Sequence, residues 1–185
     1  YLLFVGTIEP RKNLSRLLHA FELVYAERLT DSLVVVGKRG WLCDDFFARL
    51  ARSPVQKAVI LPGYVPDEDL PAVYAGAQAV VFPSLYEGFG LPVLEAMACG
   101  TPVVASRASS IPEVGGDAAC YFDPTDVEEI TALIRRVLQN TTLREEMRTR
   151  GLAQAGRFSW AQAASETHRV YDAVLMSRGK LRRST

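Results

Sequence analysis

A doubly wound α/β domain, with about six parallel strands between two layers of helices, is the architecture this sequence predicts. Three observations carry that expectation. Short β-rich runs recur along the chain: "YLLFVG", "SLVVVG", "KAVILPG", "AVVFPS", "TPVVAS" and "ACYFD". They are continuously apolar rather than alternating, as strands buried on both faces are. Segments with helical spacing lie between them, and strand–helix alternation of this kind builds a parallel sheet. At 185 residues and 49% hydrophobic content the chain can bury one substantial core. It starts directly on a strand at residues 1–5, which points to one domain of a longer protein.

The elements follow in order. Asn13 is placed to cap a first helix that carries Leu14, Leu17, Leu18, Phe21 and Val24 on one face. Asp67 could cap a short helix with Leu70, Val73 and Tyr74. The stretch "SLYEGFGLPVLEAMACGTPVV", residues 84–104, then reads as strand end, glycine turn and helix N-terminus. Gly88 and Gly90 permit a tight backbone, Pro92 suits the first helical turn, and Gly100 follows a helix that ends near Cys99. Ser110 with Glu113, Thr125 with Glu128, Thr142 with Glu145, and Ser159 with Gln162 have capping-box spacing and mark four more helix starts. The last of these, with Trp160 and Tyr171, closes a domain over residues 1–176, and residues 177–185 read as a solvated basic tail.

Charge narrows the partners. Lys plus Arg equals Asp plus Glu at 21 each, so no net field draws the chain to nucleic acid or to an anionic bilayer. Any anion must be met by a local constellation. Cys43, Cys99 and Cys120 are odd in number and lack metal-ligand spacing, which argues against a disulfide framework or a zinc site and fits a reducing cytoplasm. His19 and His168 sit in helical patterns and read as structural. No Walker motif occurs, and no Gly-x-Gly-x-x-Gly follows the first strand.

Ligands of doubly wound sheets bind beyond the carboxyl ends of the strands. That rule selects loops 6–13, 37–41, 63–66, 84–91 and 106–110. In the first, Arg11 and Lys12 stand just ahead of a helix, a good arrangement for a diphosphate because guanidinium forks onto oxygens and ammonium adds a compact charge. A basic pair on a solvated loop is the plainer alternative. In the fourth, the N–H groups around Gly88 and Gly90 open a helix N-terminus, where phosphates are held. Glu95 lies about 6 Å further along that helix and could accept from both hydroxyls of a ribose; the alternative is a surface glutamate. Glu87, an acid beside phosphates, is expected to face the other end of the ligand, where it could orient sugar hydroxyls or stabilise an oxocarbenium-like transition state. Lys38 and Arg39 share the rim but read as a solvated loop pair.

The same residues resemble a known family. "EGFGLPVLEAMACGTPVV" is similar to the E-x7-E signature of retaining GT-B glycosyltransferases of family 4, with Glu87 and Glu95 as its two acids. "FVGTIEPRKNL", "GYVPDEDLPAVYAGA", "SSIPEVGGDAACYFDP" and "FSWAQAASETHRVY" resemble its further segments in the right order. The resemblance implies a Rossmann-like half of a two-domain enzyme that binds a nucleotide-diphospho-sugar. An amino-terminal half missing here would bind a glycan or lipid-linked acceptor and carry any membrane association. It further implies that Glu87, Lys12 and Arg11 act in catalysis. Gly6, Thr7, Arg11, Lys12, Val65, Phe89, Gly90, Leu91 and Glu95 would meet the donor, with no metal and no further cofactor. Thr7 departs from the family, in which many relatives carry a basic residue there. "TIEPRKN" looks like bacterial mannosyltransferases that use GDP-mannose for surface polysaccharide, acting in the cytoplasm or at the inner face of the membrane. A nucleotide-sugar epimerase and a non-catalytic nucleotide-sugar-binding module remain as alternatives.

Overall fold

The computed structural model describes residues 1–181. Six strands form one sheet: β1 (Leu2–Val5), β2 (Leu33–Val36), β3 (Val59–Gly63), β4 (Ala79–Phe82), β5 (Val103–Ser106) and β6 (Cys120–Phe122). Their order is β3-β2-β1-β4-β5-β6, and every neighbouring pair is parallel. This is the predicted architecture. β1, β4 and β5 are buried at every position, as central strands covered on both faces must be. β3 forms one edge and leaves Ile60 and Leu61 exposed.

Helices α1 (Leu14–Ala26), α2 (Asp44–Arg52), α3 (Leu70–Ala75), α4 (Leu91–Ala98), α5 (Ile111–Gly115), α6 (Val127–Gln139) and α7 (Thr141–Ala155) surround the sheet. The α1 residues expected inside, Leu14, Leu17, Leu18, Phe21 and Val24, are all buried. Phe4 of β1 stacks on Phe82 of β4 with ring centroids 6.3 Å apart, which joins the two middle strands through the core. Helix α2 has no counterpart in the sequence reading. Its signals are Asp44 and Asp45 in the first turn, Arg49 and Arg52 in the last, and Phe46 and Leu50 buried between them.

Several helix starts shift because nearby side chains compete for the same amides. Asp126, not Thr125, caps α6 by accepting from the N–H groups of Glu128 and Glu129; the Thr125 hydroxyl turns back to Asp123. Asn140 accepts from Leu143 N, so α7 begins before Thr142. Helix α3 starts after Asp69 rather than Asp67, without a side-chain cap. Asn13 and Ser110 precede α1 and α5 but cap neither helix, and their side chains go to the rim instead.

The chain divides into a compact unit, Tyr1–Ala155, and a second unit from Gly156. The second is the single helix α8 (Trp160–Leu181), whose start is capped by Ser159 accepting from Gln162 N. Trp160, Val170, Tyr171 and Leu175 on it are exposed, so this helix makes no core of its own. The expected tail begins inside α8, and residues 182–185 lie outside the described residues. Among the described residues no helix is long and apolar enough to cross a membrane.

Candidate functional site

Strand order reverses between β1 and β4, so the loops that leave their carboxyl ends sit side by side at the switch point of the sheet. Leu85 N donates to Arg11 O at 2.8 Å, which stitches the two loops together. Asn13 adds a second stitch. It takes a left-handed conformation with φ of 58°, and its amide donates to Pro83 O and Pro124 O at 3.0 and 2.7 Å. The loop after β2 closes in from the other side. A Cβ on Gly37, whose φ is 144°, would lie 2.0 Å from Gly6 O, so only glycine allows this approach.

Between the stitched loops, Glu87 is held by two cations. Lys12 Nζ lies 2.6 Å from Glu87 Oε1, and Arg11 Nη1 lies 2.7 Å from Oε2. Lys12 and Glu87 are 7% and 9% exposed, so this pair is sheltered from water and from salt. Lys12 also sits over the Phe82 ring, 5.1 Å from its centroid. Arg11 is aimed by two further acceptors, Glu9 Oε1 at 2.6 Å and Tyr86 O at 2.7 Å. Burial alone would raise the Glu87 pKa, but the bonds from Lys12 and Arg11 outweigh it and hold the carboxyl below its ordinary value. The Ser84 hydroxyl is the one buried side-chain polar atom without a hydrogen bond among the described residues. For Arg11, burial opposes the charge, yet Glu87 and Glu9 leave its pKa raised.

Glu87 thus bridges both cations, a pairing that the sequence alone did not suggest. The cause is the stitching of the two loops, which brings residues 75 positions apart in sequence into contact.

The loop after β5 fixes the turn that carries Glu87. Ser109 Oγ accepts from Glu87 N at 2.8 Å, and Ser110 Oγ donates to Glu87 O and Phe89 O at 3.1 and 3.0 Å. Ser109 has a φ of 48°, a conformation that costs a non-glycine residue energy and recurs at functional sites. The turn ends at Gly90 with φ of 100°, and α4 begins at Leu91. Phe89 and Leu91 are exposed beside this helix start.

The remaining candidates spread along the rim. Gly6 lies against the Lys12 side chain, and a Cβ there would be 3.5 Å from Lys12 Cε. Thr7 is exposed. Val65 is half-buried and packs on the core from the loop after β3. Glu95, half-buried on α4, accepts from the Tyr74 hydroxyl at 2.7 Å. Neither Val65 nor Glu95 contacts the Lys12–Glu87 pair in the hydrogen bonds and ion pairs of the described residues. Sequence reasoning missed Glu9, Tyr74, Ser109 and Ser110 as site residues. Glu9, Ser109 and Ser110 fall in loops that the carboxyl-end rule selects, whereas Tyr74 lies outside them.

Chemically, the rim offers two cations, a helix N-terminus and two acids at one switch point. That set can hold an anion with several oxygens and orient hydroxyls beside it. Two shallow depressions, of about 650 Å³ at the α6–α7 junction and about 430 Å³ between α1 and α2, lie elsewhere and carry no comparable group of residues. No cluster of three or more metal-ligating side chains occurs among the described residues.

Comparison with known proteins shows the family and the fold. The family model for "Glycosyl transferases group 1" matches residues 1–154. O-antigen chain mannosyltransferase B of Escherichia coli is 48% identical over 172 residues, covering 92% of this chain and 45% of that protein. The serotype-specific mannosyltransferase WbdA of Escherichia coli is 38% identical over 167 residues, covering 89% of this chain and 20% of that protein. The chain therefore spans less than half the length of either relative. Among solved structures, sucrose-phosphate synthase from Thermosynechococcus elongatus superposes with a TM-score of 0.84 at 25% identity, covering 95% of this chain and 45% of that one. HepE of Anabaena, in complex with UDP, shares the fold with a TM-score of 0.80 at 20% identity, covering 94% of this chain and 49% of that one.

Proposed function

The chain belongs to the group 1 glycosyl transferases, and on that premise we propose that it is the donor-binding half of a mannosyltransferase that takes GDP-mannose. The observation that carries the reading is the meeting of Lys12, Arg11 and Glu87 with the α4 N-terminus at the switch point of the sheet. The names of the two Escherichia coli relatives support mannosyl transfer over epimerisation or simple binding.

In this reading a diphosphate takes Lys12 and Arg11 as its counter-charges, exchanging with the carboxylate that they hold in this structure. Glu87, released from one or both, turns its oxygens to the hydroxyls of the donor sugar. Gly6, Thr7, Phe89, Gly90 and Leu91 border the diphosphate and sugar, Glu95 accepts from the ribose hydroxyls, and Val65 lines the base. Transfer breaks the bond between the sugar's anomeric carbon and the diphosphate oxygen. The acceptor hydroxyl oxygen bonds to that carbon from the same face, and its proton passes to the leaving phosphate oxygen, so configuration is retained. Lys12 and Arg11 neutralise the leaving diphosphate, which makes a metal ion unnecessary. A glycan or lipid-linked acceptor would be bound by a further domain, at work in the cytoplasm or against the inner face of the membrane.

The test is calorimetric titration with GDP-mannose, GDP, UDP-glucose and ADP-glucose, with and without EDTA. The reading expects guanosine ligands to bind tightest and EDTA to leave them unaffected. A preference for the uridine ligands would overturn the GDP-mannose assignment, and a strict metal requirement would overturn the role given to the two cations.

A further inference from the structure

Helix α3 carries a buried phenol to which the donor reading gives no task. Tyr74 is 1% exposed, and its hydroxyl donates to Glu95 Oε2 on α4 at 2.7 Å. Its backbone is fixed as well. Tyr74 O accepts from the buried Thr101 Oγ1 at 2.8 Å, and the preceding carbonyl, Val73 O, accepts from Tyr1 Oη at 2.7 Å. The phenol therefore stands on a helix anchored from two other segments, whereas Glu95 is half-buried and ends a flexible side chain.

We infer that Tyr74 is a positioning residue for nucleotide recognition: by holding Oε2 it orients the Glu95 carboxylate so that the remaining acceptor sites face the vicinal hydroxyls of a ribose. The inference rests on the donor-binding reading above and deepens it. An ionised carboxylate offers about four lone-pair sites, so one spent on the phenol leaves enough for two hydroxyls. Holding the side chain in advance also removes rotamer freedom that binding would otherwise have to freeze. Burial and the Glu95 charge push the Tyr74 pKa far up, which keeps the hydroxyl protonated and donating.

The experiment is titration of the 185-residue chain and its variants with GDP and 2′-deoxy-GDP, reading the ratio of the two affinities. Glu95→Ala is expected to erase the preference for GDP. Tyr74→Phe should cut that preference about 5-fold, and adding it to Glu95→Ala should change the ratio no further, because the two residues act as one unit. An unchanged ratio in Tyr74→Phe, with Glu95→Ala still erasing it, would overturn the positioning role and leave the donor reading standing. No ribose preference in the unsubstituted chain would instead overturn the donor reading, and this inference with it. Should Tyr74→Phe fail to fold, the hydroxyl proton of Tyr74 in the unsubstituted chain provides the readout by NMR. Its resonance should move more with GDP than with 2′-deoxy-GDP; equal movement would sink the proposal.

Discussion

Lys12 and Lys38 sit on neighbouring parallel strands' exit loops and share more than their charge. Each follows a glycine of unusual φ, Gly6 at 149° and Gly37 at 144°. Each places its ammonium 5.1 Å from the centroid of an aromatic ring, Phe82 for Lys12 and Tyr64 for Lys38. Yet Lys12 is 7% exposed and paired with Glu87, while Lys38 is exposed and meets no carboxylate among the described residues. Its neighbour Arg39 pairs with Asp44 at 2.5 Å, with both side chains largely in solvent, the kind of pair that contributes little. The cation–π geometry is thus common to both halves of the rim. What separates them is the adjacent strand: β1 borders β4 and its acid-bearing turn, whereas β2 borders β3, whose exit loop presents Tyr64 and Val65 and no acid until Asp67.

The largest expected effect is at Lys12. If Lys12 holds the diphosphate as proposed, Lys12→Ala removes one charge-assisted contact and should weaken nucleotide binding roughly 30-fold, in line with about 2 kcal/mol for such a bond. The same change leaves a buried carboxylate with Arg11 alone, and thermal or urea unfolding should show a loss of about 3 kcal/mol. Lys38→Ala should cost under about 0.5 kcal/mol of stability and change binding less than about 3-fold. Equal effects at the two lysines would break the comparison.

Acid provides a sharper cut. The folded Glu87 carboxyl is held below its ordinary value of 4.5. Its ionisation therefore contributes stability that is fully present above that ordinary value and is lost as pH falls through the depressed folded value. Glu87→Gln should flatten the fall of unfolding free energy below about pH 4.5. A variant as acid-sensitive as the parent protein would show that other carboxylates dominate. The smallest effect is expected for Arg39→Ala, whose unfolding transition should superpose on that of the parent protein, because its partner Asp44 is itself exposed.

These contrasts also mark how far the sequence could be read. All six strands were legible as local apolar runs; for β1, β4 and β5 the run reflects burial on both faces, whereas the edge strand β3 keeps an apolar run although Ile60 and Leu61 are exposed. The turn and helix from Glu87 to Gly100 were legible for a similar reason, since Gly90 and Pro92 are dictated by local backbone geometry. Helix α2 went unread because only Phe46 and Leu50 in it are buried, too short a pattern to stand out. The caps shifted where several polar residues compete within two positions, as Thr125 and Asp126 do, and only the folded backbone decides between them. Least legible were the pairings across the sheet. Arg11 and Lys12 were read as phosphate ligands and Glu87 as an acid at the sugar end of the ligand; nothing local says that loop stitching brings its carboxylate within 2.7 Å of both cations. The Tyr74–Glu95 bond was hidden in the same way: Tyr74 has the spacing of a core residue, and its burial fits that, but spacing does not show that its hydroxyl donates to Glu95.

The central claim is that the β1–β4 half of the rim, and not the β2 loop, binds the diphosphate. Titration of GDP into the parent chain, Lys12→Ala and Lys38→Ala tests it most directly. The account predicts saturable binding that Lys12→Ala weakens at least about 10-fold and Lys38→Ala leaves within about 3-fold. Binding that survives Lys12→Ala unchanged, or that falls as far with Lys38→Ala, would contradict it.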